Sequence, residues 1–592
     1  MTNSDGPLNN SSETHACFEK ETALWDGTKL FYRVWKPKKE SKKALLIFHR
    51  GHEHSGRFQD LIDKIGLDDF TIFAWDARGH GKSPGERGWA PSFGHLVRDV
   101  DSFVHNISQE HGFALEDMVI FGHSVGAVTV ATWVHDYAPP IRGLVVATPA
   151  LRVKLYVPLA IPGLRLINQL KPKAFVKSYV KGKMLTHDEA MAEDYATDSL
   201  ISRDIAVNVL LGLYDAATRL IEDAHAISVP TLVLSGGADW VVEMAPQRKF
   251  FSGLASPHRD MKVYPGMYHS ILHESDREFP IEDAREFIKD AFETPKAPLS
   301  LIHEDQSPHS TEKKIALIEQ LGLLDTLKWK ITRLAMNTLG RLSGGIQVGW
   351  KYGFDSGSSL DYVYRNKACG ISPLGRLLDR LYLESPGWKG IRQRKINLEE
   401  LLEKAICRVA ERNEPVRMLD IAAGPGRYML DILKKHEDLD IAAVLRDRDP
   451  AGIEEGRAIA KEMGLTNARH EEGDAFSADS IARVEPKPNI AIVSGLYELF
   501  DSNEKLRTSL AGLAKALPMN GYLIYTNQPW HPQLDFIARV LPNRDGDPWV
   551  MRCRSQAEMD QLVAEAGFKK IDMRIDEWGI FTVSIAIKTE DS

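Results

Sequence analysis

Short, largely apolar runs recur along the first half of the chain, at 44–48, 70–75, 118–121, 144–147, 230–235 and 261–264. Each is bounded by charged residues, glycine or proline, and helical patterns lie between them. Uninterrupted apolar runs of this length predict strands buried on both faces, so the expected architecture is a parallel sheet covered by helices on either side. The rhythm breaks at 150–200. Residues 151–164 are apolar and interrupted by proline, and Lys171, Lys173, Lys177, Lys181 and Lys183 follow, with no acid between Arg152 and Thr186. Residues 295–314 are rich in proline, serine, histidine and charge without a period, which predicts a linker. Apolar residues at 315–318, 321, 323, 324 and 327 then recur at helical spacing, followed by a stretch dense in glycine and aromatics, including Trp350, Tyr352, Phe354, Tyr362 and Tyr364. Strand patterns return at 416–421, 441–445, 489–493 and 521–526, with another ending near 472. The last two, 569–576 and 581–588, read as an antiparallel pair.

The length, 592 residues, exceeds what one core supports. The expected division is an α/β domain at 18–293 with an irregular insertion at about 150–205, a linker at 294–314, a helical extension at 315–398, and a second α/β domain at 399–592. Apolar and charged fractions of 43% and 26% are those of an ordinary globular protein. A net charge of -8 gives no reason to expect a nucleic-acid partner. Cys17, Cys369, Cys407 and Cys553 have neither metal-ligand nor disulfide-framework spacing, so reduced thiols, no metal and a cytoplasmic protein are expected. Met1 to Glu21 is polar and has no apolar core of a secretory signal. The longest uncharged stretch, 119–134, falls short of the roughly 18 to 20 residues a membrane span needs.

The chemistry of the first half gathers at strand ends. Gly122-His123-Ser124-Val125-Gly126 lies between the apolar run 118–121 and the small, apolar residues 127–131. Strand, sharp turn and helix with a serine at the apex is the pattern of a nucleophile elbow, in which the glycines allow backbone to pass closely. A serine hydroxyl needs a base, and the base needs an acid to fix its tautomer. Asp239 follows Gly236-Gly237-Ala238 at the end of one strand, and His269 follows Pro265-Gly266-Met267-Tyr268 at the end of the next. The chain order Ser124, Asp239, His269 is that of α/β-hydrolases.

The segment 49–58, His-Arg-Gly-His-Glu-His-Ser-Gly-Arg-Phe, resembles the H-G-x-G-E-H-S-x-R-[YF] loop of monoacylglycerol lipases and lysophospholipases. Gly79-His80-Gly81-Lys82-Ser83-Pro84-Gly85 and the surroundings of Asp239 and His269 are similar to further motifs of those enzymes. The resemblance covers residues 18–293. It implies an α/β-hydrolase with a helical cap at the irregular insertion, a lipid-like ester substrate, no cofactor, and an oxyanion hole built from the N–H groups of Gly51 and Val125. Arg50 and His52 depart from the glycines of the family loop. The apolar, lysine-fringed cap suits an acyl chain and peripheral contact with an anionic membrane, although a cap packed on the core with solvated lysines explains the same pattern.

In the second half, a strand runs into Asp420-Ile421-Ala422-Ala423-Gly424-Pro425-Gly426, a small-residue loop that lets backbone approach a ligand. Asp447 and Asp474 stand at the ends of the next two strands, the first placed to take both hydroxyls of a ribose. The loop resembles motif I of class I S-adenosylmethionine-dependent methyltransferases, with Ala422 where many members carry the first glycine. That resemblance covers 400–590 and implies a Rossmann-like domain. Asp420, Ala422, Gly424 and Gly426 would line the methionine and ribose side, Asp447 the ribose hydroxyls, and Asp474 the adenine amine. The terminal antiparallel pair and the single short glycine loop speak against a nicotinamide-dinucleotide domain. Tyr497, Glu498 and His531 follow later strands and are candidates for an acceptor site whose methyl acceptor is unknown. The whole arrangement resembles a bacterial family of hydrolase–methyltransferase fusions. The expected protein is therefore a serine ester hydrolase joined to a methyltransferase. An acyltransferase or peptidase on the same three residues, with a regulatory S-adenosylmethionine-binding module that transfers nothing, remains the alternative.

Overall fold

The computed structural model describes residues 15–543 and 545–590; most of the polar stretch 1–21 lies outside them. The chain forms two compact units, Met1–Leu299 and Ser300–Ser592. In the first unit, β1 (His15–Ala23), β2 (Lys29–Pro37), β3 (Lys43–Phe48), β4 (Phe70–Trp75), β5 (Met118–His123) and β6 (Gly143–Ala147) precede the cap strands β7 (Phe175–Lys177) and β8 (Asp204–Ala206). The sheet then resumes with β9 (Thr231–Gly236) and β10 (Arg259–Tyr264). Its order is β1-β2-β4-β3-β5-β6-β9-β10, parallel from β4 to β10 and antiparallel at the β1–β2 end. β3 to β6 are buried along almost their whole length, as uninterrupted apolar runs require. The helices Gln59–Ile65 and Glu278–Glu293 close one face with Leu61, Ile62, Ile281 and Ile288. Between β6 and β9 the cap is built from the helix Ala160–Leu170, the β7–β8 pair, and the helices Glu189–Thr197 and Val207–Glu222. This unit is an α/β-hydrolase fold.

The strands β1 and β2 are not among the expected elements. They form a hairpin at the edge of the sheet in which Glu19, Lys20 and Glu21 interrupt β1, whereas β2 is largely buried and carries the apolar Leu30-Phe31-Tyr32. A further signal is Asp26-Gly27 between them: Gly27 has φ +80°, and Asp26 Oδ1 accepts the Thr28 N–H at 3.0 Å.

The second unit starts earlier than the expected linker ends. Leu301 is buried, its N–H donates to Gln561 Oε1 at 2.7 Å, Ile302 packs on a core cluster, and a helix spans Pro308–Ile318. The boundary expected at 398/399 also falls inside a single 25-residue helix, Pro386–Ala410. The N-terminal half of that helix packs Trp388 and Ile391 among the helical extension. Its C-terminal half lays Leu398, Leu401, Leu402, Ala405, Ile406 and Val409 on the sheet as one helical stripe. One helix thus belongs to both cores.

That sheet contains β11 (Val416–Asp420), β12 (Ile441–Asp447), β13 (Ala468–Glu472), β14 (Ile490–Val493), β15 (Tyr522–Asn527), β16 (Phe568–Ile575) and β17 (Thr582–Lys588). The order is β13-β12-β11-β14-β15-β17-β16. The first five strands are parallel, and β17 inserts antiparallel between β15 and β16. This is a Rossmann-like mixed sheet, and its order reverses between β11 and β14, where such folds bind ligands beyond the carboxyl ends of their strands. Among the described residues no helix is long and apolar enough to cross a membrane, and no cluster of side chains is suited to a metal ion.

Candidate functional site

β5 leads directly into the helix Val125–Tyr137, and Ser124 at the junction has φ 55° and ψ -110°, a strained conformation for a residue with a side chain. Tight packing holds it there. A Cβ on Gly122 would lie 2.5 Å from Ala127 Cα, and one on Gly126 would strike the Phe48 and His49 carbonyl oxygens. The Ser124 N–H donates to the Ala147 oxygen at 2.8 Å, and its own carbonyl accepts from Ala150 at 3.1 Å. The hydroxyl therefore stands at a fixed point above the sheet.

The loop after β10 brings His269 to it, with Nε2 2.8 Å from Ser124 Oγ. On the other side of the ring, Nδ1 lies 2.7 Å from Asp239 Oδ2. Asp239 Oδ1 accepts the N–H groups of Val241 and Val242 at 2.6 and 2.9 Å. All three residues are buried. Burial pushes the Asp239 carboxyl upward, but the imidazole of His269 and the two N–H groups outweigh it and hold the group below its ordinary range. An ionised carboxylate only accepts, so Nδ1 carries the ring proton and Nε2 is free to accept from the serine hydroxyl.

Gly51 lies against the elbow: a Cβ there would sit 3.1 Å from Val125 Cγ2. The loop around it is fixed by buried charge. His49 Nδ1 donates to the Arg50 carbonyl at 2.7 Å while Nε2 accepts the Ala77 N–H at 2.9 Å. Asp76 ties this loop to the next, accepting Ser55 N–H at 2.6 Å and Lys82 N–H at 2.7 Å. Arg50, at a position the family loop gives to glycine, turns away into the cap, where its guanidinium lies 4.7 Å from the centre of the Tyr195 ring. Glu53 bridges Arg50 at 2.8 Å and Arg57 at 3.1 Å, and Arg57 also pairs with Asp194. Burial raises the Glu53 carboxyl, and the two guanidiniums overcome that and keep it well below its usual range. His52, with φ 76°, is held neutral by burial, its imidazole lowered to about 3. The departures Arg50 and His52 are thus accommodated by the cap. The Arg50–Glu53–Arg57 pairs are local in sequence, but their burial depends on Asp194 and Tyr195 of the helix Glu189–Thr197, which the local pattern does not reveal. Replacing Glu53 by glutamine leaves the buried Arg50 guanidinium without its counter-charge and Arg57 with Asp194 alone. It is expected to cost about 3 kcal/mol or more of stability, read as an early unfolding transition in urea.

In the second unit, β11 ends at Asp420, which is fully buried. Its Oδ1 accepts the Ala422 N–H at 3.0 Å, and its Oδ2 accepts from the Tyr428 hydroxyl. Burial pushes the Asp420 carboxyl up to about 7. Asp447 Oδ2 accepts the Gly424 N–H at 2.7 Å and its Oδ1 the Asp449 N–H at 2.9 Å, so the end of β12 is bound to the glycine loop. Asp474 accepts the Phe476 N–H at 2.9 Å and is exposed at the end of β13. Gly424 has φ +53°, and a Cβ there would meet nothing within 4 Å, so the loop edge faces open space. Half-exposed loop backbone and carboxylates at successive strand ends match the donors and acceptors of a nucleoside linked to an amino acid, so these residues fit S-adenosylmethionine. The helix Gly357–Arg365 lies beside this loop, with Asp361 3.1 Å from Arg427.

A cavity of about 510 Å³ lies between the helical extension and the sheet. Phe354, Trp388, Ile391, Ile537, Met551 and Phe581 are among its apolar walls, and Arg394, Glu498 and His531 form a polar end beside Gly495. Glu498 Oε1 accepts from Thr526 at 2.6 Å and lies 3.6 Å from Arg394, whereas the buried Oε2 has no hydrogen-bond partner. His531 Nδ1 accepts the Gln533 N–H at 3.0 Å, and burial lowers the ring to about 4, so its neutral form carries the proton on Nε2. Tyr497 does not reach this cavity. It is buried in the core, where its hydroxyl donates to Ser509 at 2.9 Å. Arg394, one of three arginines in the helix Pro386–Ala410, gave no signal before folding placed it here.

The family described as "Putative methyltransferase" matches residues 284–588, more than half of the chain. The Escherichia coli K12 protein YnbC is 48% identical over 572 residues, covering 96% of this chain and 97% of that protein. The chain belongs to this family. Residues 39–276 match a second family, described as "Serine aminopeptidase, S33". The monoacylglycerol lipase of Mycolicibacterium smegmatis is 25% identical over 269 residues, covering 44% of this chain and 93% of that one. The crystal structure of Paleococcus ferrophilus monoacylglycerol lipase covers 46% of this chain and 99% of that one, with 24% identity and a TM-score of 0.40. The chain thus joins a lipase-like α/β-hydrolase domain to a domain of the methyltransferase family.

Proposed function

We propose that the first unit hydrolyses carboxylic esters of acylglycerols or lysophospholipids through an acyl-enzyme. The unbroken chain Ser124–His269–Asp239, at 2.8 and 2.7 Å, carries this reading. Ser124 Oγ attacks the ester carbonyl as its proton passes to His269 Nε2. The N–H groups of Gly51 and Val125 receive the oxyanion, and Asp239 stabilises the imidazolium. His269 returns the proton to the departing alcohol, then takes one from the water that cleaves the acyl-enzyme. The lipase relatives and the exposed apolar cap residues Leu159 and Leu170 favour a lipid ester. Incubating the full chain with monoacylglycerols, lysophospholipids and aminoacyl anilides tests it. Turnover of the anilides alone would replace the lipase reading with the peptidase one.

The second unit is read as an S-adenosylmethionine-dependent methyltransferase with a lipid-like acceptor. When bound, the cofactor would supply a methyl group on a cationic sulfur. Asp420, Ala422, Gly424 and Gly426 would hold its methionine and ribose side, Asp447 the ribose hydroxyls and Asp474 the adenine amine. The apolar cavity would hold the acceptor, and the unpartnered Glu498 Oε2 would accept the proton that an O–H or N–H group loses. Transfer of labelled methyl into a lipid extract tests this reading. Cofactor binding without any transfer would instead leave a regulatory module.

Asp420 gives this binding a pH dependence. Near pH 6 its carboxyl is protonated in the free protein, and a cationic ligand favours the ionised form. Binding is therefore expected to release a proton, and affinity to rise up to about tenfold per pH unit until pH passes about 7. Titration calorimetry in two buffers of different ionisation enthalpy counts the protons, and Asp420→Asn is expected to flatten the profile.

A further inference from the structure

The cavity of the second unit opens at its rim. Leu339 and Leu381 line it, yet each is 61% exposed, which places the mouth between the helices Leu323–Asn337 and Pro373–Leu383. Both helices also line the cavity wall, through Thr332 and Met336 on one and Leu378 and Tyr382 on the other. Their outward faces are apolar. Leu323, Leu324, Leu327, Ile331 and Leu334 lie along one side of the first helix, with Leu323 91% and Leu324 84% exposed. On the second, Leu374 and Leu377 continue the strip at i, i+3 toward Leu381. A row of large apolar side chains in water is costly unless something covers it.

The exposed charges on these two helices are mainly positive, with Asp325 on the first as the exception. Lys328, Lys330 and Arg333 flank it on the first helix, Arg341 follows at the turn, and Arg376 and Arg380 flank it on the second; all six are exposed. Among the described residues none of the six is held in an ion pair, and Asp379, an acid within the second helix, is buried and committed to Ser343 and Tyr362. An apolar face edged with free cations is the complement of an anionic bilayer, where leucines enter the acyl boundary and cations meet phosphates. It is a poor match for a second copy, which would bring the same positive charges against each other.

We propose that this rim docks on an anionic phospholipid surface, so that an apolar molecule passes from the bilayer into the cavity without crossing water. The inference deepens the acceptor reading above and rests on it only for what happens to that molecule afterwards. Docking itself needs neither cofactor nor methyl transfer, so the two fail separately: loss of vesicle binding removes this inference, and loss of cofactor binding removes the other.

The test is co-sedimentation of the full chain with vesicles of phosphatidylcholine and phosphatidylglycerol (about 7:3) and with phosphatidylcholine alone. The native chain is expected to partition at least tenfold better onto the anionic vesicles and to lose most of that gain in about 0.5 M salt. The substitutions Leu324→Glu, Leu327→Glu and Leu377→Glu together alter only exposed side chains and are expected to reduce binding at least tenfold. An unchanged circular dichroism spectrum and unfolding transition confirm the fold. The parallel set Leu159→Glu, Leu166→Glu and Leu170→Glu on the hydrolase cap is expected to leave at least half of the binding. The proposal is overturned if the native chain does not bind, if the cap set alone abolishes binding, or if the native chain is a dimer that the rim substitutions turn into a monomer.

Discussion

Ser124→Ala is expected to lower ester hydrolysis by about 10,000-fold or more while leaving cofactor binding to the second unit unchanged. The size follows from what the hydroxyl does: without it no acyl-enzyme forms, and only binding and the oxyanion donors remain to assist water. The alanine retains the elbow, whose strain is imposed by packing around Gly122 and Gly126 and not by the hydroxyl. Stability should therefore stay close to native. Asp239→Asn is expected to approach the same loss by another route. Asp239 Oδ1 already accepts two N–H groups, which leaves Oδ2 to fix the His269 tautomer. An amide nitrogen presented there would donate to Nδ1 and push the ring proton onto Nε2, so that the ring no longer accepts from Ser124. Release of fatty acid from a monoacylglycerol, followed over enough time to see residual rates, checks both. Native-like hydrolysis by Ser124→Ala would remove the acyl-enzyme mechanism.

The second large effect belongs to Asp447. Its alanine variant is expected to weaken S-adenosylmethionine binding by about 100-fold with hydrolysis untouched. Two hydroxyl-to-carboxylate hydrogen bonds at roughly 1.5 kcal/mol each account for that factor. The carboxylate also accepts the Gly424 N–H, so its loss frees the glycine loop at the point where backbone would meet ligand. Asp447→Asn keeps an acceptor oxygen for one partner and is expected to fall between native and alanine. Calorimetric titration of each variant measures the effect, and an unaltered affinity in Asp447→Ala would move the ribose to another carboxylate.

Much of this architecture was legible in the chain because buried parallel strands need unbroken apolar runs, and those runs are visible without any tertiary information. The chemistry that stands at strand ends inherited that visibility. Ser124, Asp239 and His269 each follow an apolar run within a few residues, and the structure brings their side chains within hydrogen-bond reach. Asp420 and Asp447 close the largely apolar β11 and β12 in the same way, whereas Asp474 follows the polar β13. Elements that lack such a signature were missed. β1, at the exposed edge, is interrupted by charge, and the helix Pro386–Ala410 hides a domain boundary because its two halves serve different cores.

Local sequence by itself determined where most of the parallel strands lie, which turn must be tight enough to need Gly122 and Gly126, and which side chains stand at their carboxyl ends. Only the tertiary structure decided what those side chains meet across long stretches of chain. Arg50 finds Tyr195 and Arg57 finds Asp194, Tyr497 turns into the core while Glu498 keeps an unpartnered oxygen toward a cavity, and two leucine-bearing helices share one mouth. The reason is that backbone periodicity is a short-range property, read over a turn or a pleat, whereas burial and charge pairing depend on neighbours that the chain brings together only when it closes on itself.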